Sequence, residues 1–235
     1  MKKLLIASTS TVHGSEYLVY ILPTLADFFK EAGTILFIPY ARPSGKTYDE
    51  YTAIAREAFA TIDKKVIGIH EYKNPKEAIA QAEAIFTGGG NTFELVHQLY
   101  KNEILSALTT AVESGTPYMG TSAGSNICGV TMMNTNDMPI VYPPSFTTLG
   151  FIPFNINAHY LDPNPDSTHM GETRETRIKE YHVFNETPVL GLREGSWLEV
   201  NGASIVLRGN HTARLFQQNK DAVELATNTE ISEYF

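Results

Sequence analysis

Ser122 lies in a segment whose residue types favour a serine nucleophile. Residues 120–124 read G-T-S-A-G, which matches the pattern G-x-S-x-G, and they directly follow an apolar run. In a sharp strand-to-helix turn of this kind only small neighbours tolerate the strained serine backbone, and the serine hydroxyl is exposed beside the next amide, that of Ala123. Small residues at a close contact between two elements are the alternative explanation, because short matches of this kind also arise by chance.

A second glycine-rich segment, T-G-G-G-N-T-F at residues 87–93, follows another apolar run. Its backbone amides are free to bind an anion, either a phosphate or the oxyanion of an acyl-transfer intermediate. The segment is not G-x-G-x-x-G and has no P-loop lysine, so nucleotide binding has no support from the motif. In an open α/β sheet both glycine loops would emerge at the carboxyl ends of strands and could face one pocket.

A serine hydroxyl needs a neighbouring base, which is usually histidine. His159 follows an alternating run at residues 154–158 and could therefore stand at a strand end beside Ser122. A structural histidine is the more common role for any single histidine, and His13, in the loop after the first strand, stays an alternative base.

Two carboxylates could orient the histidine. Asp137 lies between the serine and the histidine, in the order Ser, Asp, His that is typical of α/β hydrolases, whereas Glu194 directly follows the apolar run 188–192. Asp137 could equally be a turn residue before Pro139, and Glu194 a surface residue. Chain order slightly favours Asp137.

The elements around these residues predict an α/β fold. Apolar runs at residues 3–8, 34–40, 65–72, 84–90 and 116–120 predict strands that are buried on both faces of a mostly parallel sheet with helices on both sides. Helical spacing predicts helices from Leu18 to Phe29, from 47 to 62 after a capping box, from Asn91 to Tyr100, and from 102 to 115.

The second half of the chain is less regular. Asn201-Gly202 between two alternating runs predicts a C-terminal β-hairpin with a type I′ turn. No repeat or low-complexity linker divides the 235 residues, so we expect a single α/β domain, 1–235.

Composition excludes several classes of function. A net charge of -8 without a Lys/Arg cluster argues against a nucleic-acid partner, and no apolar run is long enough to span a bilayer. The lone cysteine, Cys128, excludes an intrachain disulfide and favours a reducing, cytoplasmic setting.

The segment D-P-N-P-D at residues 162–166 resembles the start of a calcium loop but lacks its glycine and glutamate, so we expect neither a metal nor another cofactor.

Six ordered motifs together resemble serine peptidase family S51, which comprises the α-aspartyl dipeptidases called peptidase E and cyanophycinase-like enzymes. They are GGGNTF, G-x-SAG, NTNDMPIV, FNINAHY, GETRETRI and GLREGSW, and they cover most of the chain. The resemblance implies a fold related to class I glutamine amidotransferases and the hydrolysis of Asp-X dipeptides with a free N-terminus.

The resemblance also implies roles for individual residues. Ser122 would be the nucleophile, His159 the base, and Asp137 or Glu194 the acid, while the amides of Gly90 and Ala123 would form the oxyanion hole. For substrate binding we expect Asn91 and a cation that matches the aspartate side chain, Arg174 or Arg177 in GETRETRI. A solvated helix face is an equally good explanation for either arginine alone.

Two other functions stay open at this point. A cyanophycinase-like hydrolase would cleave aspartyl-arginine material, and a non-enzymatic module would use the glycine-rich loop 88–90 as an anion cradle. We expect a small peptide substrate and a monomer or small homo-oligomer.

Overall fold

The computed structural model describes residues 1–163, 166, 168 and 171–235. Its central feature is a block of five parallel strands in the spatial order β1-β5-β4-β2-β3. The strands are β1 (Lys3–Ala7), β2 (Thr34–Ile38), β3 (Lys65–Gly68), β4 (Ile85–Thr87) and β5 (Tyr118–Thr121). All five predicted strands are therefore present, although β3 ends early because residues Ile69–Glu71 form a 3-10 turn.

Alternation along β1 shows why helices cover both faces of this sheet. Leu4 and Ile6 belong to one buried cluster, whereas Leu5 and Ala7 belong to a second cluster on the opposite face. Because side chains alternate across a strand, both faces must be shielded from water. The helices are α1 (Leu22–Phe28), α2 (Tyr48–Ala60), α3 (Pro75–Ala80), α4 (Thr92–Lys101), α5 (Leu105–Glu113), α6 (Ala123–Asn126) and α7 (Arg174–Phe184).

The first helix is shorter than the periodicity predicts. Leu18 has a φ of 62°, a left-handed conformation that an α-helix does not accommodate, and Pro23 lies in the first turn of α1, where a missing amide costs little. The capping box of Thr47 and Glu50 is present at the start of α2, as predicted. Asn91 caps α4, since its side chain accepts a hydrogen bond from the Glu94 amide.

Three antiparallel strands extend the main sheet beyond β1 in the order β12-β9-β8-β1. These are β8 (Ser196–Asn201), β9 (Ser204–Gly209) and β12 (Thr229–Glu230). The predicted C-terminal hairpin is thus β8–β9, but its turn lies one residue later than predicted. Asn201 pairs with Ser204, so Gly202 and Ala203 form the turn, with Gly202 at a φ of 63°. A glycine at the first central position is the arrangement of a type II′ turn.

A second sheet, which the sequence did not reveal, carries the strand that leads into His159. Within the described residues its order is β11-β10-β7-β6, with β6 and β7 parallel. Its strands are β6 (Asn155–Ala158), β7 (Val189–Leu192), β10 (Ala213–Phe216) and β11 (Val223–Leu225). The run 188–192 is therefore a buried strand, as predicted, but it belongs to this smaller sheet. No helix among the described residues is long and apolar enough to cross a bilayer.

Candidate active site

Ser122 follows β5 directly and has an unusual backbone conformation. Its φ of 53° and ψ of -112° fall outside the regions that non-glycine residues normally adopt, and its amide donates to the Ala7 carbonyl at 3.2 Å. The flanking glycines are required by close approach: a Cβ at Gly120 would lie 2.3 Å from the Gly124 oxygen, and a Cβ at Gly124 would lie 2.2 Å from the Thr87 oxygen. The strand-to-helix turn predicted from G-x-S-x-G is therefore present.

His159 connects Ser122 to Glu194 by two short hydrogen bonds. Its Nε2 lies 2.8 Å from the Ser122 Oγ, and its Nδ1 lies 2.6 Å from the Glu194 Oε1. An ionised carboxylate can only accept hydrogen bonds, so the His159 Nδ1 carries the proton. The Nε2 then accepts a hydrogen bond from the Ser122 hydroxyl. This tautomer is the one that a general base requires. His13, the alternative base, is an exposed loop residue.

Asp137, which chain order favoured as the orienting acid, does not contact His159. Its Oδ2 instead accepts a hydrogen bond from the Thr92 amide at 2.7 Å, at the start of α4. A carboxylate is favourable there because the first amides of a helix lack partners and carry partial positive charge. Glu194 takes the place beside His159 because it follows β7, the strand adjacent to β6, and β6 ends next to His159.

Ser8 holds the His159 backbone in place, and sequence analysis missed it. The buried Ser8 hydroxyl accepts from the His159 amide at 2.9 Å and donates to the Leu192 carbonyl at 2.7 Å. His159 itself has a φ of 55°, and the amide before it, at Ala158, donates to the Asn126 side chain at 3.4 Å. The one sequence feature that points to this contact is the position of Ser8, at the carboxyl end of β1, the neighbour of β5.

The amides expected to form an oxyanion hole are available. Among the described residues, neither the Gly90 nor the Ala123 amide donates a hydrogen bond. Gly89 lies against Ser122, since a Cβ at Gly89 would be 2.9 Å from the Ser122 Cβ. Its amide donates to the Tyr51 hydroxyl at 2.9 Å, which fixes the loop that carries Gly90. The Ala123 amide, next to Ser122 in the chain, and the Gly90 amide, next to the residue that contacts Ser122, thus have no hydrogen-bond acceptor among the described residues, and their role in stabilising an oxyanion stays a prediction.

The three residues expected to bind substrate have different surroundings. Both polar atoms of the Asn91 side chain are engaged, one by the Glu94 amide and the other, at 2.8 Å, by the Met138 carbonyl. Arg177 is paired with Glu172 at 3.5 Å. Arg174 has no ion pair among the described residues.

The charge environment of Arg174 differs from that of a surface arginine. Partial burial and the neighbouring Arg177 lower the pKa of Arg174, and Asp137 opposes this shift. Arg174 therefore lies within electrostatic reach of Asp137 and holds a cation that no described carboxylate neutralises by direct contact. Its role and those of the other site residues stay predictions.

The segment considered for calcium lies partly outside the described residues, because positions 164 and 165 are not among them. Within it, Asp162 accepts two hydrogen bonds from Arg193, at 2.9 and 2.8 Å. Over the described part of the chain, no three His, Cys, Asp or Glu side chains cluster closely enough to hold a metal ion.

Comparison with known proteins identifies the family. The model of peptidase family S51 matches residues 4–208. Peptidase E of Streptomyces coelicolor is 49% identical over 230 residues, which cover 98% of this chain and 93% of that protein. A probable alpha-aspartyl dipeptidase of Drosophila melanogaster is 43% identical over 96% of this chain and 94% of that protein.

Solved structures agree on the fold. A peptidase from an acI-B1 actinobacterium superposes with a TM-score of 0.74 at 15% identity, covering 98% of this chain and 96% of that one. A putative peptidase E from Listeria monocytogenes gives a TM-score of 0.68 at 17% identity, covering 89% of this chain and 99% of that one. At such identities these two structures support the fold alone. The match over residues 4–208 and the full-length relatives show that this chain belongs to peptidase family S51.

Proposed function

We propose that this protein is a serine peptidase that hydrolyses dipeptides with a free N-terminal aspartate. The observation that carries the proposal is the hydrogen-bonded chain from Ser122 through His159 to Glu194. The names of two relatives, peptidase E and probable alpha-aspartyl dipeptidase, support an Asp-X substrate. Both relatives match over nearly their whole length, so the comparison includes every segment that contributes to the site.

The mechanism follows from the positions of these groups. His159 Nε2 removes the Ser122 proton as the oxygen attacks the substrate carbonyl, and Glu194 stabilises the imidazolium that forms. The amides of Gly90 and Ala123 donate to the oxyanion. His159 then gives its proton to the leaving amine, and a water molecule, activated by the same nitrogen, releases aspartate from the acyl-enzyme.

Recognition of an N-terminal aspartate needs one cation and one anion. Arg174 is suited to the side-chain carboxylate, because no direct ion pair with a described residue competes for it. Asp137 is the carboxylate whose charge acts on Arg174, and it is suited to the free α-ammonium of the substrate. Arg177, already paired with Glu172, is the weaker candidate.

We further place the enzyme in the cytoplasm as a monomer or small homo-oligomer that binds no nucleic acid. The support is compositional: a net charge of -8 opposes binding to phosphate backbones, and a single cysteine fits a reducing compartment.

Hydrolysis of Asp-Leu, its N-acetylated form and the two isomers of Asp-Arg by the purified protein tests the proposal. We expect cleavage of Asp-Leu and of α-linked Asp-Arg, none of the blocked peptide, and no activity in Ser122→Ala at unchanged thermal stability. Cleavage confined to the β-linked isomer would favour a cyanophycinase-like activity. No turnover of any peptide, with no labelling of Ser122 by a serine-reactive phosphonate, would contradict the assignment as an enzyme.

A further inference from the structure

Arg42 is a second cation that has no carboxylate partner among the described residues. The chain has seven arginines. Five of them form ion pairs, namely Arg56, Arg177, Arg193, Arg208 and Arg214. Among the described residues, the remaining two, Arg42 and Arg174, have no such pair. The Nε of Arg42 is buried and makes no hydrogen bond with a described residue.

Arg42 is linked to the glycine-rich loop 88–90 through the backbone of the preceding residue and through its own side chain. The carbonyl of the preceding residue, Ala41, accepts from the Asn91 amide at 2.8 Å. The Arg42 guanidinium lies 4.7 Å from the centre of the Tyr51 ring, and the Tyr51 hydroxyl accepts from the Gly89 amide. A single tyrosine ring therefore separates Arg42 from the loop that contacts Ser122.

Arg42 and Arg174 have neighbours on opposite faces of the main sheet. Tyr51, beneath Arg42, belongs to the buried cluster between the sheet and α1 and α2. Asp137, which acts on Arg174, is bonded to the start of α4, and α4 packs on the opposite face of the sheet. The two arginines without an ion pair among the described residues are thus associated with different faces of the main sheet.

A dipeptide Asp-X carries two carboxylates, one on the aspartate side chain and one at its C-terminus. Arg174 and Asp137 together match the N-terminal residue, which bears both a carboxylate and an ammonium. Because one residue spans only about 3.5 Å, the C-terminal carboxylate of a dipeptide stays close to the scissile bond. Arg42 and the loop 43–48 line an open cavity of about 430 Å³.

Resting on the function proposed above, we propose that Arg42 binds the C-terminal carboxylate of the substrate and thereby selects dipeptides. A third residue would move that carboxylate away by about 3.5 Å and leave a peptide bond beside the guanidinium. Arginine suits this role because its planar donors match a carboxylate in pairs.

The test compares Asp-Leu with Asp-Leu amide, which lacks the terminal charge. In the wild type we expect kcat/KM for the free acid to exceed that for the amide by about 10- to 100-fold, the usual effect of hydrogen bonds to a charged group. Arg42→Met should remove this preference by raising KM for Asp-Leu. The same substitution should change kcat/KM for Asp-Leu amide by less than about twofold. Arg42→Lys should restore part of the preference.

Arg56→Met is the matched control, because Arg56 lies on the same helix as Tyr51 but pairs with Glu71 on the outer surface. Arg56→Met should leave kcat/KM for both substrates unchanged. Equal losses for Asp-Leu and its amide in Arg42→Met, or no loss, would overturn the proposal. So would a selective loss of discrimination between Asp-Leu and Asn-Leu, which would assign Arg42 to the aspartate side chain. Absence of Asp-Leu hydrolysis in the wild type would instead reject the proposed function itself.

Discussion

The Ser8 hydroxyl accepts a hydrogen bond from the amide of His159 at 2.9 Å and so connects the end of β1 to the residue that follows β6. The same hydroxyl donates to the Leu192 carbonyl at 2.7 Å, two residues before Glu194. One buried side chain directly after β1 thus contacts the backbone of two residues that belong to or follow strands of the second sheet. We therefore expect the distance between the Ser122 and His159 side chains to depend on Ser8.

Ser8→Ala should lower kcat for Asp-Leu by about 10- to 100-fold, because small displacements of catalytic groups have effects of this size. The part-buried His159 amide loses its acceptor, so the free energy of unfolding should fall by about 1–3 kcal/mol. Steady-state kinetics and urea denaturation measure the two effects. Ser114→Ala, at an exposed serine that ends α5, is the control and should change neither quantity. Full activity in Ser8→Ala would show that β6 alone positions His159.

Glu194 and Asp137 should respond differently to removal of their charge. Glu194→Gln keeps the side-chain shape but no longer stabilises the His159 imidazolium, so kcat should fall by about 10²- to 10⁴-fold with little change in KM. Asp137→Asn should mainly raise KM for Asp-Leu, since Asp137 lies near Arg174 and not beside His159. Steady-state kinetics separates the two parameters.

Glu186→Gln, at an exposed loop residue, controls for the loss of one surface charge and should have no effect. If Asp137→Asn lowered kcat as strongly as Glu194→Gln, the acid suggested by chain order would be required after all.

The parts of the site that the sequence predicts are those determined locally. G-T-S-A-G specifies the turn at Ser122 because its glycines avoid contacts within that turn and with Thr87. Asn91 caps α4 through a residue three positions away, which is also a local effect. The five parallel strands were predictable for the same reason, since each is a short apolar run followed by a helix or turn.

The parts that the sequence did not reveal depend on contacts between distant segments. Glu194 reaches His159 only because β6 and β7 pair in the second sheet, and no local pattern indicates that pairing. Ser8 lies 151 positions from His159 in the chain. Arg42 similarly becomes notable only when Tyr51 and Gly89 are seen beneath it. The order of residues along the chain contains no information about these pairings, and for this reason it favoured the wrong neighbour of His159, Asp137.

Gly90 has no space for a side chain. Its φ is 147°, and a Cβ would lie 2.1 Å from the Ala41 oxygen. Gly90→Ala should therefore displace the loop and misplace the Gly90 amide, lowering kcat by about 10²- to 10³-fold, the usual effect of losing one oxyanion donor. Backbone strain should also destabilise the fold by about 1–3 kcal/mol.

Gly33→Ala is the control for Gly90→Ala, because its Cβ would meet only the Glu83 side chain at an ordinary 3.5 Å. It should retain activity. Kinetics together with thermal denaturation distinguishes displacement of the loop from general unfolding. A stable Gly90→Ala variant with wild-type kcat would exclude the Gly90 amide from the oxyanion hole.

Cys128, six residues after Ser122, should be chemically inert in the folded protein. It is fully buried, and its thiol donates to the Gly124 carbonyl at 3.4 Å. Burial raises the pKa of the Cys128 thiol above its ordinary value, so the reactive thiolate stays scarce. An ordinary exposed thiol gains reactivity between about pH 7 and 9, whereas Cys128 should not.

Iodoacetamide labelling followed by mass spectrometry checks this expectation across that pH range. The native protein should remain unmodified and active, and the urea-denatured protein should be alkylated at Cys128. Cys128→Ala should keep its activity at a cost of about 1 kcal/mol in stability, because the deleted atom leaves only a small cavity. Rapid alkylation of the native protein with parallel loss of Asp-Leu hydrolysis would contradict the inert role and would make Cys128 a second nucleophile to be tested beside Ser122.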